Sequence, residues 1–486
     1  MATDGFLAWK ARSRNRFRVR RAKLQRSVSA VKAVFGKQPS ARRVPPVPCG
    51  RGAPSAKSSR LALRLPGAPR PLVNAYVLAN PDPVAPWNDP AAELEVFTLP
   101  LGEWMRRVLE SEGFSVVPAA DESAIPSGAP CLVIGSHVLA GAAAIRAFRA
   151  AAEASGTSRA LALPDCAFTR FTTPLMELAT AQVGGTRVHR YDVYWCADGR
   201  FTRRDAESFE PLVLDPRERE LPTSAPPFVP GERMPMGITP RHVFHIRHWS
   251  HLHMANIVGG LCEASARVRR PRTWLWLAWR LLRAFPWTLG RLLNGFNHRG
   301  RRTFIHPTAS VEGCVVGRGV VIDAGAVVRG SIIGDGAKIG QHARVQWSVI
   351  GQGARVAWNG IASFSVLMRG SETSFPGVQM SVVGREAYLG SGVWHLDTSF
   401  TGAVPVRDRD RVVASHQLLL GIAVGHRGFL GAGVTIAAGR EIPNGTRWID
   451  DPARMATRIP VDLVDGEVYA IRDGRPVPLA ELMKKR

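Results

Sequence analysis

Aliphatic residues between positions 305 and 356 recur at steps of five or six, and the pattern closes every 17 residues. An α-helix repeats near 3.6 residues and a half-buried strand near 2, so neither explains this interval. A coil of three short strands, each directing one aliphatic side chain inward, does explain it. The segment is therefore predicted to be a β-solenoid whose coils stabilise one another by stacking. Three sets of positions share the 17-residue interval: Ile305, Ile322, Ile339 and Val356; Val311, Val328 and Val345; Val316, Ile333 and Ile350.

The repeat is interrupted once and then resumes. Between the two repetitive stretches, residues 391–417 have no such period and are predicted to form a loop excursion near 391–420 that leaves the solenoid. The repeat returns with aliphatic residues six positions apart, at Val424, Leu430, Ile436 and Ile442. Because the same rhythm stands on both sides of the excursion, one continuous solenoid is predicted.

The stretch IHPTASVEGCVVGRGVVI, residues 305–322, resembles the opening coils of the hexapeptide-repeat transferases. The resemblance implies a left-handed parallel β-helix, whose hand departs from the usual rule for crossovers between parallel strands. It also implies a homotrimer in which a loop excursion shapes the substrate pocket. Members of the family usually move an acyl group from a thioester to a sugar, so acyl-CoA is the implied donor.

A different pattern precedes the repeat. From Val73 onward, short apolar runs alternate with helix-like segments, which predicts a parallel sheet covered by helices. The order resembles a sugar-1-phosphate nucleotidyltransferase domain, a Rossmann-like fold, over roughly residues 73–256. The predicted strands are residues 73–79, 114–118, 130–136 and 158–164, and the predicted helices are residues 100–113 and 138–156.

This chain departs from the nucleotidyltransferase pattern at two functional positions. The turn after the first strand reads AYVLANPDPVAPWND and has no glycine-rich cradle that could offer backbone N–H groups to a triphosphate. Ser136 and His137 stand where that family has a metal-binding aspartate. A hydroxyl cannot replace a carboxylate on a hard cation, so Mg²⁺ binding is not expected. The fold class is therefore α/β plus β-solenoid: a degenerate Rossmann-like nucleotidyltransferase-type domain followed by a left-handed parallel β-helix.

Charge and cysteine content bear on the N-terminal tail and on the cellular compartment of the protein. The net charge is +25, and residues 1–70 contribute most of it, with 18 Lys and Arg against the single acid Asp4. This tail is predicted to be disordered and could bind phosphates nonspecifically; alternatively, translation begins downstream of it. No apolar run typical of a signal peptide follows the basic residues. The six cysteines contain no CxxC pair, which argues against a zinc module or a disulfide framework and favours the reducing cytoplasm.

The segment that joins the two domains has two unusual features. Five histidines recur at close spacing, and either two of them share a metal or they lie on a polar helix that docks between the domains; no metal site is predicted there. Residues 272–296, from Arg272 to Phe296, combine a basic aromatic stripe with leucines, which suits either a peripheral membrane contact or packing on the β-helix. The histidines are His242, His245, His248, His251 and His253.

These patterns divide the chain into five parts. They are a basic tail (1–71), an α/β nucleotidyltransferase-like domain (72–240), a helical connector (241–300), the β-helix (301–447) and a C-terminal extension (448–486).

Candidate catalytic residues are histidines, because an imidazole can take the proton from an attacking hydroxyl or amine. His342 follows Ile339 and is expected to project outward from its coil. His426 lies on the returning coils and is expected, with nearby arginines, to face the loop excursion that carries His395 and Asp397. The arginines Arg427 and Arg440 are the candidates for binding the phosphates of coenzyme A.

Three functions are compatible with the sequence. The leading one is acyl transfer from acyl-CoA to a sugar, a sugar nucleotide or a related glycan precursor at the β-helix. The second is a sugar-1-phosphate nucleotidyltransferase with an altered site. The third is a non-catalytic oligomeric scaffold or regulator.

Overall fold

The structure is a computed structural model that describes residues 73–221, 236–268, 297–399 and 402–484. All of them belong to one of the two units into which the chain divides, Pro69–Arg486. The predicted basic tail and the predicted membrane contact at residues 272–296 lie outside the described residues.

Residues 73–221 form the α/β part that the alternating pattern predicted. Its longer strands are Val73–Leu78, Phe114–Ala119, Cys131–Gly135, Val138–Ala140, Arg159–Pro164, Thr180–Val183, Thr186–Cys196 and Glu210–Val213. Its α-helices are Leu101–Ser111, Ala142–Ser155, Ala167–Thr172 and Arg203–Ser208. The shorter strands are Pro83–Val84, Asp89–Pro90, Glu95–Val96, Leu99–Pro100 and Arg219–Leu221, and 3₁₀ turns span Ala91–Glu93 and Glu122–Ala124.

The main sheet is mixed, whereas a parallel sheet was predicted. Val73–Leu78 runs parallel to both of its neighbours, Phe114–Ala119 and Cys131–Gly135. The long strand Thr186–Cys196 lies antiparallel between Cys131–Gly135 and Arg159–Pro164. The prediction was wrong here because the alternating pattern reports burial of a strand and carries no information about the direction of its neighbour.

The predicted helix 138–156 begins later than expected. Val138–Ala140 is a strand that pairs antiparallel with Val243–His245, and the helix starts at Ala142. The sequence VLA is apolar and would suit either state, and the partner strand that decides the outcome lies far along the chain.

The connector is helical in part. After the short strands Met236–Ile238 and Val243–His245, one α-helix spans Trp249–Val268. In the described residues, no helix is long and apolar enough to cross a membrane.

The repeat forms a parallel β-helix with three sheets, of eight, eight and five strands. The 17-residue register is confirmed, since Ile305 pairs with Ile322, Ile322 with Ile339, and Ile339 with Val356. The inward aliphatic residues form a continuous buried core from Val311 to Ile442. The left-handed turn of the coils stays a prediction from the resemblance.

The first sheet contains His298–Arg299, Val315–Val316, Ile332–Ile333, Val349–Ile350, Val366–Leu367, Val382–Val383, Ala423–Val424 and Glu441–Ile442. The second contains Phe304–Ile305, Val321–Ile322, Lys338–Ile339, Arg355–Val356, Glu372–Thr373, Tyr388–Leu389, Phe429–Leu430 and Arg447–Trp448. The third contains Ser310–Glu312, Val327–Arg329, Arg344–Gln346, Ile361–Ser363 and Gly377–Gln379, and a separate pair joins Trp394–His395 to Thr435–Ile436.

The outer face of the first sheet packs against the α/β part. Val349, Val366, Val382 and Ala423 are buried in the same core as the residues of the α/β sheet and of helix Trp249–Val268. The β-helix and the α/β part therefore share an apolar contact. This contact explains why the first sheet carries apolar side chains on both of its faces.

The loop excursion contains an antiparallel hairpin, Pro405–Asp408 with Arg411–Ala414. It bends back onto the α/β part: the side-chain amide of Gln417 donates to the carbonyl of Phe171 at 2.8 Å, and Arg409 pairs with Glu177 at 2.9 Å. After the β-helix, the chain forms a hairpin of Tyr469–Arg472 and Arg475–Pro478, followed by helix Leu479–Lys484.

Candidate functional site

His342 is the most accessible of the predicted catalytic residues. It lies on an exposed corner after strand Lys338–Ile339, with a positive φ of 59°. Its ring covers Gly325 of the preceding coil, where a methyl group would overlap the imidazole. The ring nitrogens form no hydrogen bond with another described residue. His342 therefore has a free imidazole on the outside of the coil, as predicted.

His426 is in a different environment from the one the sequence predicted. Its side chain is buried in the contact with the α/β part, where Nε2 lies 3.1 Å from Oδ2 of Asp89. Nδ1 accepts a hydrogen bond from the backbone N–H of Arg385 at 2.9 Å, and the Arg385 guanidinium also contacts Asp89. Burial and the nearby Arg385 guanidinium lower the pKa of His426 below its ordinary value. Both ring nitrogens are occupied, so His426 helps to hold the two parts together.

The surrounding contacts strengthen this junction. The indole N–H of Trp87 donates to the carbonyl of Val424 at 2.9 Å, and the amide of Asn444 donates to the carbonyl of Trp87 at 2.6 Å. The side-chain oxygen of Asn444 accepts from the backbone N–H of His426 at 2.6 Å. Within this chain, His426 thus faces the loop before the first helix and not the loop excursion, because the first sheet of the β-helix packs on the α/β part.

The remaining candidates do not gather around His426. Nε2 of His395 accepts from the backbone N–H of Gln379 at 3.1 Å, and burial lowers its pKa. The carbonyl of Asp397 accepts from the backbone N–H of Leu420 at 2.8 Å. Arg427 is exposed next to His426, and Arg440 donates to the carbonyl of Pro405 at 3.0 Å. Of the two arginines, Arg440 is the one that contacts the loop excursion within the described residues.

The five connector histidines do not all lie on one helix. His242 lies just before strand Val243–His245, which His245 ends. His248 lies just before helix Trp249–Val268, which carries His251 and His253. Nε2 of His253 donates to the carbonyl of Phe364 at 2.7 Å, and the ring of His248 donates to the carbonyl of Arg407 at 2.9 Å. His253 thus docks the connector against the β-helix and His248 docks it against the loop excursion, in agreement with the docking alternative.

A second cluster of polar side chains lies at the edge of the α/β sheet. His137 follows strand Cys131–Gly135, Asp192 lies within strand Thr186–Cys196, and His245 ends strand Val243–His245. One ligand atom from each of the three lies within 4.8 Å of the other two. The antiparallel pairing of Val193 with Ile134, and of His245 with Val138, brings together residues that are far apart in the sequence.

The local contacts orient this cluster. Nε2 of His137 lies 3.1 Å from Oδ2 of Asp192 without the alignment of a hydrogen bond. Tyr194 donates its hydroxyl to Oδ1 of Asp192 at 3.1 Å, and the backbone N–H of Asp192 donates to Nε2 of His245 at 2.9 Å. Gly135 lies beneath the His137 ring, and a Cβ there would lie 2.7 Å from Cε1 of that ring.

The protonation states follow from burial and from mutual charge. Burial, and then the neighbouring His137, lower the pKa of His245 to about 3, so the ring is neutral. Burial opposes ionisation of Asp192, yet its contacts with His137 and His245 outweigh burial and lower its pKa. At neutral pH the cluster therefore combines a carboxylate with at least one neutral imidazole.

The cluster opens onto a cleft with a cavity volume of about 100 Å³. The walls of the cleft include Glu177, Arg190, Asp192, Tyr194, His245 and Arg247. The sequence analysis noted His137 because it stands where the nucleotidyltransferase family has an aspartate, and it noted His245 as one of five closely spaced histidines. It did not identify Asp192. No local signal marks Asp192, which sits in an ordinary alternating strand.

No protein-family model and no curated protein matches this chain. The solved structures that are similar to part of it include two acetyltransferases. A mutant of GDP-perosamine N-acetyl transferase from Caulobacter crescentus, in complex with CoA and GDP-perosamine, is 22% identical, with a TM-score of 0.16; the match covers 30% of this chain and 52% of that one. The acetyltransferase domain of PglB from Neisseria gonorrhoeae is 21% identical, with a TM-score of 0.15; that match covers 31% of this chain and 55% of that domain.

The chain thus spans about half the length of each of these structures. At such TM-scores the likeness carries no argument about activity. What defines the class of this protein is its own architecture, a parallel β-helix fused to an α/β part.

Proposed function

We propose that this chain transfers an acyl group from acyl-CoA to a hydroxyl or amino group of a sugar, a sugar nucleotide or a related glycan precursor. An imidazole on the β-helix takes the proton of the attacking group as its oxygen or nitrogen bonds to the thioester carbonyl carbon. The carbon–sulfur bond then breaks, and the coenzyme A thiolate leaves and accepts the proton. His342 is the proposed base.

The observation that carries the proposal is the free imidazole of His342 on the outer corner of a regular coil. A general base must offer an unoccupied nitrogen to the incoming acceptor. In the chain as described, Nε2 of His395 accepts a backbone N–H bond, and both ring nitrogens of His426 have partners. The catalytic roles of His426, His395 and Asp397, and the CoA contacts of Arg427 and Arg440, stay predictions that the same assay tests.

Exposed aromatic residues near His342 favour the proposed trimer. Trp358 and Phe375 occupy the same corner in the next two coils and are 74% and 51% exposed. A cluster of exposed large apolar side chains commonly marks a protein contact. A second subunit that covers this corner would bury both rings and would form a cleft around His342, which would exclude water from the thioester.

The test measures coenzyme A thiol release by the full chain from acetyl-CoA, with a panel of amino and hydroxy sugar nucleotides as acceptors. We expect His342→Ala to lower kcat/KM by about 100- to 10,000-fold, the usual contribution of a general base. The control is His416→Ala, which removes another exposed histidine with a positive φ in the loop excursion. Light scattering on both variants checks that the oligomer is unchanged.

Two outcomes would overturn the proposal. Equal activity of His342→Ala and the wild type would remove the proposed base. Absence of both thiol release and an acyl-CoA-dependent rise in Tm would favour the non-catalytic scaffold, because a ligand of the folded state raises Tm by mass action.

The geometry gives no support to nucleotidyl transfer. The backbone N–H of Asn80, in the turn after the first strand, donates to Oγ of Ser136 at 2.8 Å, and the N–H of Asp82 donates to Oδ1 of Asn80 at 3.0 Å. These two backbone N–H groups already donate to acceptors within the chain. We therefore expect no pyrophosphate release from nucleoside triphosphates and sugar 1-phosphates in the presence of Mg²⁺.

A further inference from the structure

His137 is a buried polar side chain without a hydrogen-bond partner. It is 4% exposed, and neither Nδ1 nor Nε2 has a hydrogen bond within the part of the chain that the structure describes. A buried polar group without a hydrogen-bond partner destabilises the folded chain, so an unpaired group of this kind calls for an explanation such as a bound ion. The carboxylate of Asp192 lies next to this ring, 3.1 Å from Nε2.

We propose that His137, Asp192 and His245 bind a divalent transition-metal ion at the head of the cleft. Two imidazoles and one carboxylate are a donor set that suits Zn²⁺ and related ions. Two ligand atoms at about 2.0–2.1 Å from a tetrahedral ion lie roughly 3.3 Å apart. The observed 3.1 Å between His137 and Asp192 is close to that separation and is wide for an aligned charged hydrogen bond.

His245 can act as the third ligand if its ring nitrogen gives up a hydrogen bond in order to coordinate the ion. Its Nε2 now accepts the backbone N–H of Asp192 at 2.9 Å. A single neutral hydrogen bond contributes little net free energy to a folded protein, whereas a structural Zn²⁺ ion is bound far more strongly by its set of ligands. Coordination of the ion by His245 is therefore favourable even though the hydrogen bond is lost.

Two neighbouring residues prepare the site. The hydroxyl of Tyr194 bonds Oδ1 of Asp192, which leaves Oδ2 directed at His137. Gly135 leaves room for the His137 ring, which a side chain there would displace. Asp192 and His245 line the cleft, so the ion can enter from solvent and its remaining positions can take water or an oxygen ligand. This site departs from the sequence-based expectation that the chain binds no metal.

The experiment uses the untagged full chain, stripped with a chelator and titrated with Zn²⁺ by calorimetry and with Co²⁺ by visible absorption. We expect one tight site and the absorption bands of a low-coordinate Co²⁺ ion with nitrogen and oxygen ligands. His137→Gln should weaken binding more than about 100-fold, because loss of a ligand exceeds the usual 10- to 100-fold effect of a supporting residue. His416→Gln, which removes an exposed histidine outside the cluster, should bind as the wild type does.

Tyr194→Phe keeps the proposal testable if His137→Gln fails to fold. It removes only the hydroxyl that orients Asp192 and should weaken Zn²⁺ binding by about 10- to 100-fold. The proposal is overturned if the wild type lacks a tight site, or if Zn²⁺ affinity is unchanged in folded His137→Gln or, where that variant does not fold, in Tyr194→Phe. Neither result depends on acyl transfer.

Discussion

The β-helix and the α/β part satisfy their buried polar groups in different ways. In the β-helix, Ser331, Ser348, Ser365 and Ser381 stack on one another, and the backbone N–H of each serine from Ser348 onward donates to the hydroxyl of the serine before it, at 3.0–3.2 Å. In the connector, several buried histidines have individual partners, as with His251 and the carbonyl of Pro174. The β-helix thus repeats the same serine contact from coil to coil, whereas each histidine contact of the connector occurs once.

The difference has a physical consequence. In a stack of coils, stability is approximately the sum of contacts between neighbours, so a substitution should act through its own coil and the adjacent ones. In the α/β part, a single contact such as Asp89 with His426 joins segments from distant parts of the chain. Loss of such a contact should therefore weaken the junction between the two regions.

The largest effect should follow a charge placed inside the β-helix. Ile339 is fully buried in the coil core, and Ile339→Asp would leave an unpaired carboxylate there. We expect a loss of several kcal/mol in the free energy of unfolding, measured by urea denaturation. Gln341→Ala, two residues away on the exposed corner, should change it by less than about 0.5 kcal/mol. Equal tolerance of both substitutions would contradict the coil register.

A smaller effect should follow loss of the junction between the regions. Asp89→Asn would leave the Arg385 guanidinium and the His426 ring without their carboxylate in a largely buried contact. We expect a loss of about 2 kcal/mol in the free energy of unfolding.

The matched control is Asp335→Asn, which removes the carboxylate from a solvent-exposed pair with Arg318 within the β-helix. Such surface pairs contribute about 0–1 kcal/mol. If the two variants lose the same stability in urea denaturation, Asp89 has no special role at the junction.

A further effect concerns the pH dependence of stability and the buried histidines. Burial lowers the pKa of His253 to about 4, whereas histidine in an unfolded chain titrates near 6.5. Below about pH 6.5, His253 binds a proton in the unfolded chain but not in the folded chain. The free energy of unfolding therefore falls as the pH falls toward 4. We expect His253→Gln, which keeps a donor for Phe364, to reduce this slope by up to about 1.4 kcal/mol per pH unit.

The readout is the free energy of unfolding from urea titrations between pH 4 and pH 7. His416→Gln removes an exposed histidine and should leave the slope unchanged. A slope in His253→Gln equal to that of the wild type would mean that His253 accepts protons in the folded chain.

Much of the architecture could be predicted from the sequence, because it depends on contacts between residues at short or constant separations along the chain. The 17-residue register predicted which side chains face inward, because each coil contacts only its neighbours at a constant offset. The strands Val73–Leu78 and Cys131–Gly135 and the helix Leu101–Ser111 also followed from their local patterns. The exposed position of His342 came from the same register.

Only the tertiary structure decided the sites that depend on distant pairing. The antiparallel placement of Thr186–Cys196 beside Cys131–Gly135 brings Asp192 to His137, and no local pattern predicts the direction of that strand. His426 turned toward Asp89 because the first sheet of the β-helix packs on the α/β part, and that contact buries side chains separated by hundreds of residues. In the β-helix, the same contact recurs in every coil and therefore appears as a period in the sequence. A single contact between remote segments produces no such period.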